Sequence, residues 1–291
     1  MFKPRRSTDM AQTINTNVMS LNAQRNLSST QSSLATTMQR LSSGLRVNSA
    51  RDDSAGLAIA ERMSAQVRGM NVGIRNANDA VSLAQTAEGA LGRITDNLQR
   101  MRELAVQSAN GSNSEDDRAN LNTEYVELAD EVKRVLNNTV FSSSTYLLNA
   151  EATLTFQVGA NNTEVDKVDI DTTDLRAGTG MAAVLAGAQA DGIGGDSTGD
   201  ALTAMDNLDD AIDEITSSRA KFGAAANRFE SVIGALQTSS ENAAASRGRI
   251  VDADFAVETA NLSRTQILQQ AGSAMLAQAN QMPQMVMNLL R

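Results

Sequence analysis

The sequence predicts a mainly α protein: a long antiparallel helical coiled-coil or bundle rod, with a small β-hairpin excursion and its N- and C-terminal helices paired. Three observations predict it. Apolar residues recur at three- and four-residue steps through several long stretches, which is the period of an amphipathic helix. Large rings are scarce, at 3% aromatic with no Trp, two Tyr and six Phe, so thin layers of Ala, Leu, Val, Ile and Met are expected instead of a ring-filled globule. Both ends of the chain are almost free of charge: Arg25 and Arg40 are the only ionised side chains between Ala11 and Leu45, and none lies between Arg264 and Arg291.

In chain order, the first helical seam runs Ile14, Val18, Leu21 and, after a phase slip, Leu27, Leu34, Met38, Leu41 and Leu45. Gly44 and the turn formers Asn48 to Gly56 interrupt it, so residues 44–56 are read as a connector. A second seam runs from Met63 and Val67 through Ile74, Ala84, Leu91, Ile94 and Leu98 to Met101 and Ala105. Taken as continuous from Leu57 to Ala109, it makes a rod on the order of 80 Å at 1.5 Å per residue. Asn110-Gly111 ends that helix, and Ser114 with Asp117 forms a capping-box pattern for the next. There Leu121, Tyr125, Leu128, Val132 and Val135 continue the helical repeat up to Asn137-Asn138, giving an antiparallel helical hairpin.

The period then changes to two. Leu154, Phe156 and Val158 alternate, Gly159 to Asn162 supplies a turn, and Val168 and Ile170 alternate on the return, predicting a β-hairpin near residues 150–173. Residues 174–199, rich in Gly, Ala, Asp and Thr, read as a variable loop. The last long seam, Met205, Leu208, Ile212, Ile215, Phe222, Ala226, Phe229, Ile233 and Leu236, carries Arg219 at one seam position. Ser239 to Asp254 mirrors the first connector in composition, and residues 246–255 are assigned as the second one. The closing helix places Leu268, Ala271, Met275, Gln278, Met282, Val286 and Leu289 on nearly one face, with Leu290 at its end. Pro283 falls within that pattern and is expected to weaken or kink it. The order is therefore nested: residues 11–43 with 256–291 form an inner coiled-coil domain, and residues 57–245 an outer rod domain.

Composition excludes much of chemistry. The chain has neither Cys nor His, which removes thiol nucleophiles, disulfides, the usual zinc sites and every His-based general base. A net charge of −9 argues against sequence-independent binding to nucleic acid or to anionic membrane. No apolar run is long enough for a transmembrane span. Met1 to Asp9 is basic, but the following AQTINTNVMS is too polar for the apolar core of a cleavable signal. Asp52-Asp53 and Asp209-Asp210 are paired carboxylates read as helix caps or solvated faces, and Gly192-Ile-Gly-Gly-Asp lacks the Lys of a phosphate cradle. No catalytic residue, metal site or cofactor is expected. The methionines of the last helix, Met275, Met282, Met285 and Met287, suit adaptable helix–helix contacts or simple core filling.

Ala11 to Leu21, Leu41 to Gly56, Gln99 to Asn110, Asn227-Arg-Phe229 and Ser263 to Arg291 together resemble bacterial flagellin. The likeness covers roughly the first 140 and the last 90 residues, as in a short flagellin without large outer domains. It begins at Met10, so residues 1–10 are read as an extension outside the family pattern. The resemblance implies a subunit that self-assembles with other copies into the helical flagellar filament for motility. It also implies unfolded export by the flagellar type III route, an extracellular location, and cap, junction and export chaperone proteins as partners. Ile14, Val18, Leu21, Leu34, Met38, Leu41, Leu268, Met275, Met282, Val286, Leu289 and Leu290 are then polymerisation residues, the two terminal helices pairing with each other and with neighbours. Their Gln, Asn and Ser would line the export channel. The family's Toll-like receptor motif resembles Arg100, Leu104 and Gln107, with Glu124 on the adjoining helix. The alternative is a hook–filament junction protein of the same organelle, which shares the terminal-helix design.

Overall fold

The computed structural model describes residues 16–142, 145–189, 192–194 and 198–289, the last seven of these as helical backbone alone. Along the chain stand α1 (Val18–Ser43), α2 (Ser54–Ser108), α3 (Glu115–Asn138), β1 (Val140–Phe141) and β2 (Thr145–Tyr146). Then follow β3 (Ala152–Gln157), a 3-10 turn (Glu164–Asp166), β4 (Lys167–Thr172), α4 (Thr179–Gln189), α5 (Thr198–Val251) and α6 (Phe255–Leu289). The chain divides into two compact units, Met1–Ser64 with Ala244–Arg291 and, separately, Ala65–Ala243.

In the second unit α2 and α5 run antiparallel, because side-chain bonds join Asn71 to Ser240, Glu88 to Arg219 and Arg102 to Asp209. The seam expected for α2 is the buried one: Ala77, Ala84, Ala87, Leu91, Ile94, Leu98, Met101 and Ala105 all face the core. Small alanines alternating with Leu, Ile and Met let the helices approach closely along this whole face, which is why so few rings are needed. The capping box at α3 is complete, with the Ser114 hydroxyl accepting from the Asp117 N–H and the Asp117 carboxylate accepting from the Ser114 N–H.

Tyr125 fills the centre of the bundle, and burial pushes its phenol up to about 12 from an ordinary value of 10.0. Its folded pKa lies above the unfolded one, so its share of stability is complete below pH 10 and is lost as pH rises toward 12. Thermal melts between those pH values should lose about 2–3 kcal/mol through this residue. Tyr125→Phe, which cannot ionise, should flatten that part of the curve, and an unchanged alkaline slope in the variant would contradict the assignment.

The β-hairpin expected near 150–173 is β3 paired antiparallel with β4, with Leu154 opposite Ile170 and Phe156 opposite Val168. Phe156 meets Phe229 of α5 edge to face, ring centroids 5.5 Å apart. The hairpin end presses on α2 at Gly73, where a Cβ would overlap the Val158 carbonyl, and Asn76 Nδ2 donates to the Gln157 carbonyl at 2.8 Å. A smaller hairpin, β1 with β2, was not signalled by the sequence, since two-residue strands carry too little alternation to be seen.

Two readings are corrected. Residues 174–199 are not all loop: α4 spans Thr179–Gln189 and buries Met181, Val184 and Ala188. Its N-terminal cap comes from another helix, the Glu214 carboxylate of α5 accepting from the Gly180 N–H at 3.0 Å and the Met181 N–H at 3.3 Å. Gly180 lies so close to Asp210 and Ala211 that a side chain there would collide. The second connector is also shorter than residues 246–255, because α5 continues to Val251 and α6 begins at Phe255. Ser-Arg-Gly-Arg contains no proline, and the chain breaks only at Asp252 to Asp254, where Asp254 accepts from the Ala256 and Val257 N–H groups as the cap of α6.

In the first unit α1 and α6 pair antiparallel: Asn17 donates to the Ala279 carbonyl at 2.7 Å, and Arg40 faces Glu258 at 3.9 Å. Gly44, left-handed at φ 72°, caps α1 and turns the chain. The two connectors meet there as a minimal antiparallel bridge, Leu45 opposite Asp252. The Arg46 N–H donates to the Val251 carbonyl, and the Ala253 N–H donates to the Gly44 carbonyl. Val47 and Val251 are buried beneath the bridge.

Candidate assembly surface

The pairing of α1 with α6 uses an unexpected set of residues. On α1 the sheltered positions are Ser20, Ala23, Leu27, Thr30, Leu34, Thr37 and Leu41, alternating three- and four-residue steps. On α6 they are Glu258, Leu262, Thr265, Gln269, Gly272, Leu276 and Ala279, again a strict heptad. The seam is half apolar and half small or polar, and Leu27 Cδ1 sits 3.3 Å from where a Cβ on Gly272 would stand. The expected apolar stripe lies elsewhere. Leu268 is 49% exposed and Met275 60%, with Met282 and Ala271 also on the outside. Ile267 beside them is 66% exposed.

At 100° per residue, α6 thus carries three strips. One faces α1. A second, centred on Leu268, Ala271, Met275 and Met282, is apolar and open. The third, Ser263, Gln266, Gln270, Ser273 and Gln281, is polar, uncharged and open. On α1 the residues expected to polymerise split between faces: Leu34 and Leu41 are half-buried against α6, whereas Val18, Leu21 and Met38 are exposed, as is Met19. Ile14 and Leu290 lie outside the described residues, and Val286 and Leu289 stand on helix whose side chains are outside them too. An open apolar strip alongside an already satisfied pairing seam is a candidate contact surface.

A second surface lies on the bundle. Arg100 of α2 donates through Nε and Nη2 to Glu124 Oε1 of α3 at 3.0 and 2.9 Å, and through Nη1 to Glu103 at 2.8 Å. The two carboxylates hold its guanidinium charged above the ordinary range. Gln107 is exposed two turns further on, and its backbone carbonyl accepts from the Asn113 side chain at 2.7 Å. Leu104 does not share that exposure. It is 1% exposed and belongs to the core, because the Leu98, Met101, Leu104 and Ala105 stripe faces α3 and α5. Helical spacing places Leu104 near Arg100 and Gln107 on the wheel, yet the face it occupies is the inward margin.

The paired carboxylates have structural work. Asp52 accepts from the Asn48 and Ser49 N–H groups, which hold its carboxyl below the ordinary value. Asp53 accepts from the Gly56 N–H at the start of α2, and Asp209 binds Arg102 through both oxygens. Among the described residues no group of three acidic side chains is placed to hold a metal, and no helix is long and apolar enough to cross a membrane.

Two family models match the chain: the bacterial flagellin N-terminal helical region over residues 14–153, and the bacterial flagellin C-terminal helical region over residues 205–290. The flagellin of Halalkalibacterium halodurans is 44% identical over 281 residues, spanning 96% of this chain and 99% of that protein. The flagellin of Xenorhabdus nematophila is 42% identical over 313 residues, spanning 97% of this chain and 100% of that protein. The crystal structure of Bacillus cereus flagellin shares 30% identity, covers 55% of this chain and 88% of that one, and superposes with a TM-score of 0.47.

Proposed function

The chain belongs to the bacterial flagellin family, and on that premise we propose that its copies polymerise through the open apolar strip of α6. It is a structural subunit of the flagellar filament and not an enzyme. What supports the polymerisation reading is one observation: Leu268, Met275 and Met282 stay open although α6 is already paired with α1 along the neighbouring strip. Covering a half-exposed Leu, Ile or Met contributes about 1–2 kcal/mol each, and a helical array repeats that gain at every subunit. Val18, Leu21 and Met38 of α1 supply further apolar points on the same unit.

The uncharged polar strip of α6 suits the wall of an export channel, since fixed charges there would hold back passing chains of opposite sign. Subunits travel unfolded through the flagellar type III route, meet export chaperone, junction and cap proteins on the way, and end extracellularly. The half-polar seam between α1 and α6 supports such a route, because few large apolar side chains are covered there to hold the pair together. A host Toll-like receptor that senses flagellin would meet Arg100, Gln107 and Glu124, with Leu104 holding the helix beneath them.

Electron microscopy of the purified, concentrated protein tests the proposal, with long tubular filaments expected. Removal of Met282 to Arg291 should leave the Ala65–Ala243 unit folded by circular dichroism while filaments disappear. A full-length chain that stays monomeric at high concentration would overturn it.

A further inference from the structure

The sulfur atoms of this chain are unevenly placed. Of thirteen methionines, the core ones Met101 and Met181 are fully covered, whereas Met19, Met38, Met275 and Met282 stand exposed on the two terminal helices. Met275 and Met282 lie at the centre of the open apolar strip of α6, and Met19 and Met38 stand exposed on α1 at the two margins of its seam with α6. A thioether is the one apolar side chain that a mild oxidant converts into a polar group without breaking the backbone. With no cysteine in the chain to react first, these four sulfurs are the most exposed among the described residues.

We propose that Met19, Met38, Met275 and Met282 form an oxidation-sensitive set that gates assembly: sulfoxide at these positions blocks polymerisation of free subunits, and polymerisation in turn shields them. The inference rests on the reading that these faces meet neighbouring subunits. The reagent is a peroxide. It transfers one oxygen atom to the thioether sulfur, the sulfur is oxidised by two electrons, the O–O bond breaks, and water leaves. The product carries a strongly polar S–O group that finds no hydrogen-bond donor in an apolar contact. Methionine sulfoxide reductase reverses the step, so the gate is reversible.

Purified monomers are treated with hydrogen peroxide, freed of it, and concentrated, and the critical concentration for filament growth is read by sedimentation beside untreated protein. Oxidation should raise that concentration by about tenfold or more. Peptide mass analysis should show oxygen on these four methionines and none on Met101 and Met181, and sulfoxide reductase should restore growth. The variant with Met19→Leu, Met38→Leu, Met275→Leu and Met282→Leu keeps these positions apolar but cannot form a sulfoxide; its critical concentration, whatever its untreated value, should be unchanged by peroxide. Oxidised wild-type protein that polymerises as well as untreated protein overturns the gate. So does an oxidised variant that has lost polymerisation, since the sensitivity then lies at other residues. Failure of the untreated protein to polymerise would instead count against the assembly reading itself.

Discussion

Leu268→Asp and Met275→Asp should each abolish filament growth without unfolding the subunit. Both side chains are about half exposed in the single chain, so a carboxylate there stays hydrated and the fold of the monomer loses little. Once a neighbour covers the strip, the same carboxylate becomes a buried charge without a partner, at a cost of about 3–5 kcal/mol per contact. Every 1.4 kcal/mol is a factor of ten in equilibrium, so the critical concentration should rise by roughly a hundredfold or more. Gln266→Asp, one strip away on the polar side, should leave subunit association largely intact. Sedimentation of the three variants against wild type reads the difference. Equal growth of all three would show that the apolar strip is not where subunits meet.

Leu104→Ala should destabilise the Ala65–Ala243 unit by about 2–5 kcal/mol, because a fully covered leucine is removed from a close-packed stripe between α2, α3 and α5. Arg100→Ala and Glu124→Ala should change stability by under about 1 kcal/mol, since their ion pair is exposed. The contrast matters for receptor recognition. If receptor signalling by folded monomers falls with Arg100→Ala while the melting curve holds, Arg100 is a contact. If Leu104→Ala lowers signalling only as far as it lowers folding, Leu104 is a support. A Leu104→Ala protein as stable as wild type would contradict its core placement.

Helical period made most of the second unit legible. The α2 seam is legible residue by residue, and the Ser114–Asp117 pattern marks the start of α3 because a capping box is a local reciprocal bond. The hairpin was legible from alternation at Leu154, Phe156, Val168 and Ile170. What sequence could not show depends on partners distant in the chain. The start of α4 is capped by Glu214, some 34 residues on, and nothing within the Gly/Ala-rich stretch reveals that distant acceptor. Ser239 to Val251 looks like a connector by composition, yet small helix-tolerant residues simply extend α5 when no proline stops them.

The terminal helices illustrate a different limit. Amphipathic reading assigns the more apolar face to the core, and for a monomer that rule is sound. Here the intramolecular seam takes Leu262, Leu276, Gly272 and small polar residues, while Leu268, Met275 and Met282 are left outside. The pattern told which residues need burial. It did not tell whose surface covers them. The family identification then removes the competing reading of a junction protein, because flagellins match at 44% and 42% identity over nearly the whole chain.

The absence of cysteine makes the central claim directly measurable. Single substitutions Ile267→Cys, at the exposed margin of the open strip, and Thr265→Cys, on the seam toward α1, each introduce one thiol with no background. Labelling by a water-soluble maleimide is timed in monomers and in assembled filaments. Position 267 should react fast in the monomer and become strongly protected in the filament, whereas position 265 should be slow in the folded monomer already. Equal labelling of position 267 in both states would contradict assembly through the apolar strip of α6.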